Sequence, residues 1–79
     1  ISVYPNPATN ELHVRLPQSS PYDYTVTDIS GKVVLSGWID GSKEAVCISL
    51  PQYLMEGLYQ INISSNGEPK YTAQLVISR

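Results

Sequence analysis

The chain alternates apolar and polar residues in short runs, and the clearest of them starts at Leu58. Tyr59, Ile61 and Ile63 fall on one side there, and Gln60, Asn62 and Ser64 on the other. A period of two with aromatic and β-branched residues on one side predicts a half-buried strand over residues 58–64. Gly57 stands just before it, where a chain turning into a strand needs positive φ or a close backbone approach. Leu50 and Leu54 precede that glycine and cap the same end of the core.

The remaining runs have the same character. Residues 1–4 alternate and stop at Pro5-Asn6-Pro7-Ala8, where two fixed φ angles and two missing donors make a stiff corner, with Thr9 and Asn10 completing the turn. Residues 11–16 put Leu12, Val14 and Leu16 on one face and His13 and Arg15 on the other, and residues 17–21 are a loop. Residues 22–29 turn Tyr24 and Val26 inward and Thr25 and Thr27 outward. Asp28-Ile29-Ser30-Gly31-Lys32 reads as a tight hairpin turn with positive φ at the glycine, and residues 33–38 return as the partner strand. A second turn at Asp40-Gly41-Ser42 leads to residues 45–50, with Val46, Ile48 and Leu50 inward. Residues 51–57 form a connection with one helical turn, and Ser65-Asn66-Gly67 a third turn. Residues 70–78 are the final strand, with Ala73, Leu75 and Ile77 on one face and Val76 on the other.

About seven short strands joined by Gly, Asn and Pro turns, with no helix-length amphipathic segment, predict an all-β fold. The expected architecture is an Ig-like antiparallel sandwich of two sheets, without the paired cysteines of antibody domains. At 79 residues the chain has room for one domain, 1–79, and one modest core. It opens inside a strand-like run without an initiator methionine, so we read it as a piece excised from a larger secreted protein.

Composition narrows the function classes. Charged residues make up only 15%, and Ser, Thr, Asn and Gln supply the polar surface, with six tyrosines and no phenylalanine. A net charge of −2 with scattered Lys32, Lys43 and Lys70 gives no footprint for nucleic acid or an anionic membrane. No apolar run approaches the roughly 18 residues of a membrane span, so no direct membrane insertion is expected. The single Cys47 has no internal disulfide partner.

No catalytic, metal or cofactor site is expected. His13, the lone histidine, falls on the outer face with Glu11 and Arg15 as its same-face neighbours along the strand, and reads as a surface residue. Cys47 lies opposite Val46 and Ile48, and neighbouring Lys43 and Glu44 supply neither a base nor an electropositive pocket. The carboxylates, spread along strand ends and turns, serve turn and edge chemistry. Asn62-Ile63-Ser64 matches a glycosylation acceptor but sits inside a strand. Trp38, Tyr22 and Tyr53 are either core and edge aromatics or, if they converge on one face, a sugar-stacking platform.

Four elements in this order resemble one family. They are Tyr4-Pro5-Asn6-Pro7-Ala8, the turn from Asp28 to Gly31 and Lys32, the Leu54, Gly57 and Tyr59 segment, and the apolar end Leu75-Val76-Ile77-Ser78-Arg79. The chain resembles a C-terminal sorting domain of the type IX (Por) secretion system, type A, across essentially its whole length. That resemblance implies a delivery tag, not an enzyme, with an attached N-terminal cargo, the type IX translocon and shuttle components, and a surface sortase as partners. It implies passage through the periplasm to the cell surface or the extracellular space, and removal of the domain by the sortase. We expect Leu75 to Arg79 to be the stretch the translocon reads, with the other motif residues specifying the fold. The alternative is a carbohydrate-binding or spacer Ig-like module of an extracellular enzyme or adhesin, using Trp38 and the tyrosines.

Overall fold

The computed structural model describes residues 1–5, 7–17, 21–40 and 45–79, and every alternating run in it forms a strand. The strands are β1 (Ser2–Tyr4), β2 (Glu11–Arg15), β3 (Tyr22–Asp28), β4 (Val33–Ile39), β5 (Ala45–Ser49), β6 (Gly57–Ser65) and β7 (Glu68–Ile77). A three-stranded sheet has the order β1-β2-β5, and a four-stranded sheet the order β4-β3-β6-β7. All strand pairs are antiparallel. The all-β sandwich expected from the sequence is the fold observed.

Strand pairing brings the inward residues into rows. Val26, Ile61 and Ala73 align across β3, β6 and β7, and Tyr24, Ile63 and Tyr71 form the next row. On the other sheet Leu12 pairs with Ile48 and Val14 with Val46. These rows meet in one apolar core, closed at one end by Leu50 and Leu54. Each fully buried Leu or Ile contributes on the order of 1.5–3 kcal/mol, so the alternation alone supplies most of the driving force.

Two of the connections between consecutive antiparallel strands are tight turns. Between β3 and β4, Gly31 takes φ 88°. Between β6 and β7, Asn66 and Gly67 take φ 55° and 77°, the double positive φ of a type I′ turn. That turn pairs Ser65 directly with Glu68, so β7 starts two residues before the expected residue 70. β4 and β5 lie in different sheets and do not pair with each other. Gly41 and Ser42 of the expected turn lie outside the described residues, as do residues 18–20 of the first loop, Lys43 and Glu44. In antibody constant domains the fourth strand joins the first, second and fifth. Here β4 pairs with β3 instead.

One expectation needs correction. Residues 51–57 hold no helical turn: the Leu54 amide donates to the Pro51 carbonyl at 3.1 Å in a single tight turn, too short to propagate as helix. Of the two readings of Tyr22, core or edge aromatic and stacking platform, the first holds: it points into the core with 3% exposure.

Candidate functional site at the end of the last strand

β7 is the outer strand of the four-stranded sheet, and alternation divides its end between core and surface. Leu75 and Ile77 are buried at 1% exposure each, whereas Val76 is half-buried and Ser78 and Arg79 are exposed. Leu58 of β6 lies beside Val76 in register, and it is also exposed.

This end of the strand is held from two further sides. Ala8, fully buried after the proline corner, forms a parallel bridge with Ile77. Its amide donates to the Val76 carbonyl and its carbonyl accepts from the Ser78 amide, both at 2.8 Å. Arg79 reaches back to the connection between β5 and β6. Its guanidinium donates to the carbonyls of Pro51 at 2.9 Å, Gln52 at 3.2 Å and Leu50 at 3.4 Å, and its backbone amide to Glu56 Oε1 at 3.2 Å. A rigid fork of donors suits three successive carbonyls, which a single ammonium cannot cover equally. Arg79 is therefore docked against the domain rather than presented as a free polar handle.

The other motif residues build this end of the molecule or the turn beside it. Leu54 is buried beneath it, and the Tyr59 hydroxyl donates to the Met55 carbonyl at 2.7 Å, pinning the connection to β6. Gly57 pairs with Ile77 and has φ 155°, which L side chains rarely adopt. Asp28 pairs with Tyr59, and its Oδ1 accepts from the Ser30 amide and hydroxyl and from the Lys32 amide at 2.6–3.1 Å. These hydrogen bonds, the Ser30 hydroxyl first, pull the Asp28 carboxyl below its usual pKa. An open groove of about 490 Å³ lies between this turn and β7, with Ile29, Leu58, Gln60 and Gln74 on its walls. Pro5 and Pro7 are exposed, the Tyr4–Pro5 bond is cis, and Asn6 lies outside the described residues.

A second cluster escaped the sequence reading. Register places Tyr4, His13 and Cys47 in one row across β1, β2 and β5. The Tyr4 and His13 rings stack with centroids 5.4 Å apart. His13 is half-buried, not a freely exposed residue, and its Nε2 lies 3.5 Å from Glu11 Oε1. The Cys47 thiol donates to Glu11 Oε2 at 3.2 Å, and that bond is the main cause of its raised pKa. Alternation correctly put His13 and Cys47 on outer faces; the pairing of β2 with β5, distant in sequence, was the hidden step. The expected neighbours Arg15 and Glu11 are thus joined by Tyr4 and Cys47.

Trp38 and Tyr53 are both exposed but stand at opposite ends of the four-stranded sheet. Trp38 aligns through Asp23 with Ser64, near the end of β6, whereas Tyr53 follows Gln52 near its start. With Tyr22 buried, the three aromatics do not converge on one face.

No curated protein and no solved structure matches the chain. A family model described as a secretion system C-terminal sorting domain matches residues 2–78, taking in the proline corner, the Asp28 turn, the Gly57 segment and the clasped end of β7. The chain therefore belongs to the type IX secretion C-terminal sorting domain family, whose members act as sorting signals for export.

Proposed function

We propose that this domain directs an attached cargo protein to the type IX translocon by presenting the folded end of β7, and that it performs no catalysis itself. Cargo and domain cross the periplasm together, and a surface sortase then removes the domain at the cell surface or outside it. The observation that carries this reading is the division of labour along residues 75–79. Leu75 and Ile77 anchor the strand in the core, Ala8 and Arg79 fix its position, and Leu58, Val76 and Ser78 face outward. Ala8 already occupies the backbone edge at Val76 and Ser78. Recognition at this point therefore uses outward side chains; strand addition here would first have to displace Ala8.

A reporter fused to the domain tests the proposal. Deleting residues 76–79 should stop export, but it also removes Ile77 and about 1.5–3 kcal/mol of burial. The cleaner variant is Ser78→Asp, which charges the exposed face and leaves Leu75, Ile77 and Arg79 in place. It should fold like the parent by circular dichroism while the reporter accumulates in the periplasm. Export equal to the parent would move recognition to another face. Normal export of the deletion would sink the sorting mechanism altogether.

A further inference from the structure

We propose that Glu11, His13 and Cys47 bind one zinc-class cation on the outer face of the three-stranded sheet, joining β2 to β5. A carboxylate oxygen, an imidazole nitrogen and a sulfur converge there from two adjacent strands, all within 4.8 Å of one another. Ligand atoms around a tetrahedral zinc lie about 3.3–3.8 Å apart, so modest side-chain rotations close the site. Glu11 is already central, with one oxygen toward the imidazole and the other toward the thiol. Mixed S, N and O donors favour zinc-like ions over magnesium or calcium, which prefer all-oxygen shells.

The cation takes the place now held by the thiol proton. Cys47 gives that proton to solvent as the sulfur–metal bond forms, so each ion bound releases one proton from the thiol. Glu11 then serves as a ligand to the ion instead of an acceptor for the S–H. Tyr4, stacked on His13, restrains the orientation of the imidazole ring. A groove of about 390 Å³ lined by Pro5, Thr9 and Asn10 opens beside Glu11 and His13, leaving room for water or another ligand at the fourth position.

The 79-residue chain, kept reduced with a non-chelating phosphine, is titrated with Co²⁺ and then with Zn²⁺. One Co²⁺ per chain should bind with the near-ultraviolet charge-transfer band of a cobalt thiolate, and Zn²⁺ should abolish that band. Cys47→Ser should remove the band, and both it and His13→Gln should weaken Zn²⁺ at least about tenfold. Zn²⁺ should raise the unfolding midpoint of the parent and leave that of Cys47→Ser unmoved. All three side chains face outward, so the variants should unfold like the parent in chelator. The proposal is overturned by absence of saturable binding, by equal Zn²⁺ affinity in both variants, or by one ion shared between two chains.

Discussion

Ala8 lies parallel to Ile77, giving its amide proton to Val76 and accepting one from Ser78, so the segment leaving β1 closes the outer side of the last strand. The bridge ties a residue near the start of the chain to the end of β7 and crosses from one sheet to the other. Ala8 is fully buried at that crossing. A larger side chain must therefore push either the core or β7 aside. Ala8→Leu should lower stability by about 1–3 kcal/mol in urea denaturation and speed hydrogen exchange at the Ser78 amide. An unchanged midpoint would mean that the proline corner gives way without loading the strand.

Gly57 isolates a backbone effect. A Cβ built there meets nothing within 4 Å, yet φ is 155°. Gly57→Val should cost about 1–3 kcal/mol, with backbone strain as the cause and no clash to relieve. Denaturant midpoints of Gly57→Ala and Gly57→Val provide the check. Both should fall, and a midpoint equal to the parent in each would remove the argument for glycine.

Asp28 gives the fold an acid-sensitive turn. Its folded pKa lies below the ordinary 3.8, so its charge contributes fully above that value and progressively less as pH falls through the folded pKa. Asp28→Asn keeps a neutral acceptor and removes only the charge. The parent should be the more stable of the two at about pH 6, and the difference should shrink toward about pH 2.5. Thermal unfolding of both proteins across that range measures the gap. A gap that stays constant would show that the carboxylate charge does not hold the turn.

Period-two alternation was enough to read the strands, because a strand covered on one face leaves that record in its own residues. Ile61, Ile63, Leu75 and Ile77 all point where the pattern places them. Gly31, Asn66 and Gly67 likewise announced their turns, since positive φ selects those residue types. What alternation does not encode is which strands become neighbours. The Glu11–His13–Cys47 cluster depends on pairing β2 with β5, and the Ala8–Ile77 bridge on contact between distant parts of the chain. Tyr22, by contrast, was legible from alternation: it shares the face of Tyr24 and Val26 and packs inward with them. Arg79 was legible as a basic residue after an apolar strand, but its three carbonyl partners come from a turn that alternation does not describe.

Those carbonyls make Arg79 the place where stability and signalling can be separated. The side chain is open to water, so losing its hydrogen bonds should cost the whole domain less than about 1 kcal/mol. Locally the effect should be larger, because the same residue fixes the segment that carries Ser78. Arg79→Lys preserves the positive charge but replaces a planar fork with a single ammonium, which cannot serve Leu50, Pro51 and Gln52 together. Amide exchange at Ser78 should therefore accelerate in Arg79→Lys and again in Arg79→Gln, with nearly unchanged denaturation midpoints in both. If the translocon needs a positioned strand end, the lysine variant should export a fused reporter poorly despite its retained charge. If charge is what the translocon reads, lysine should export well and glutamine poorly. Unaltered Ser78 exchange in both variants would show that Ala8 alone holds the strand and that the arginine contacts are idle.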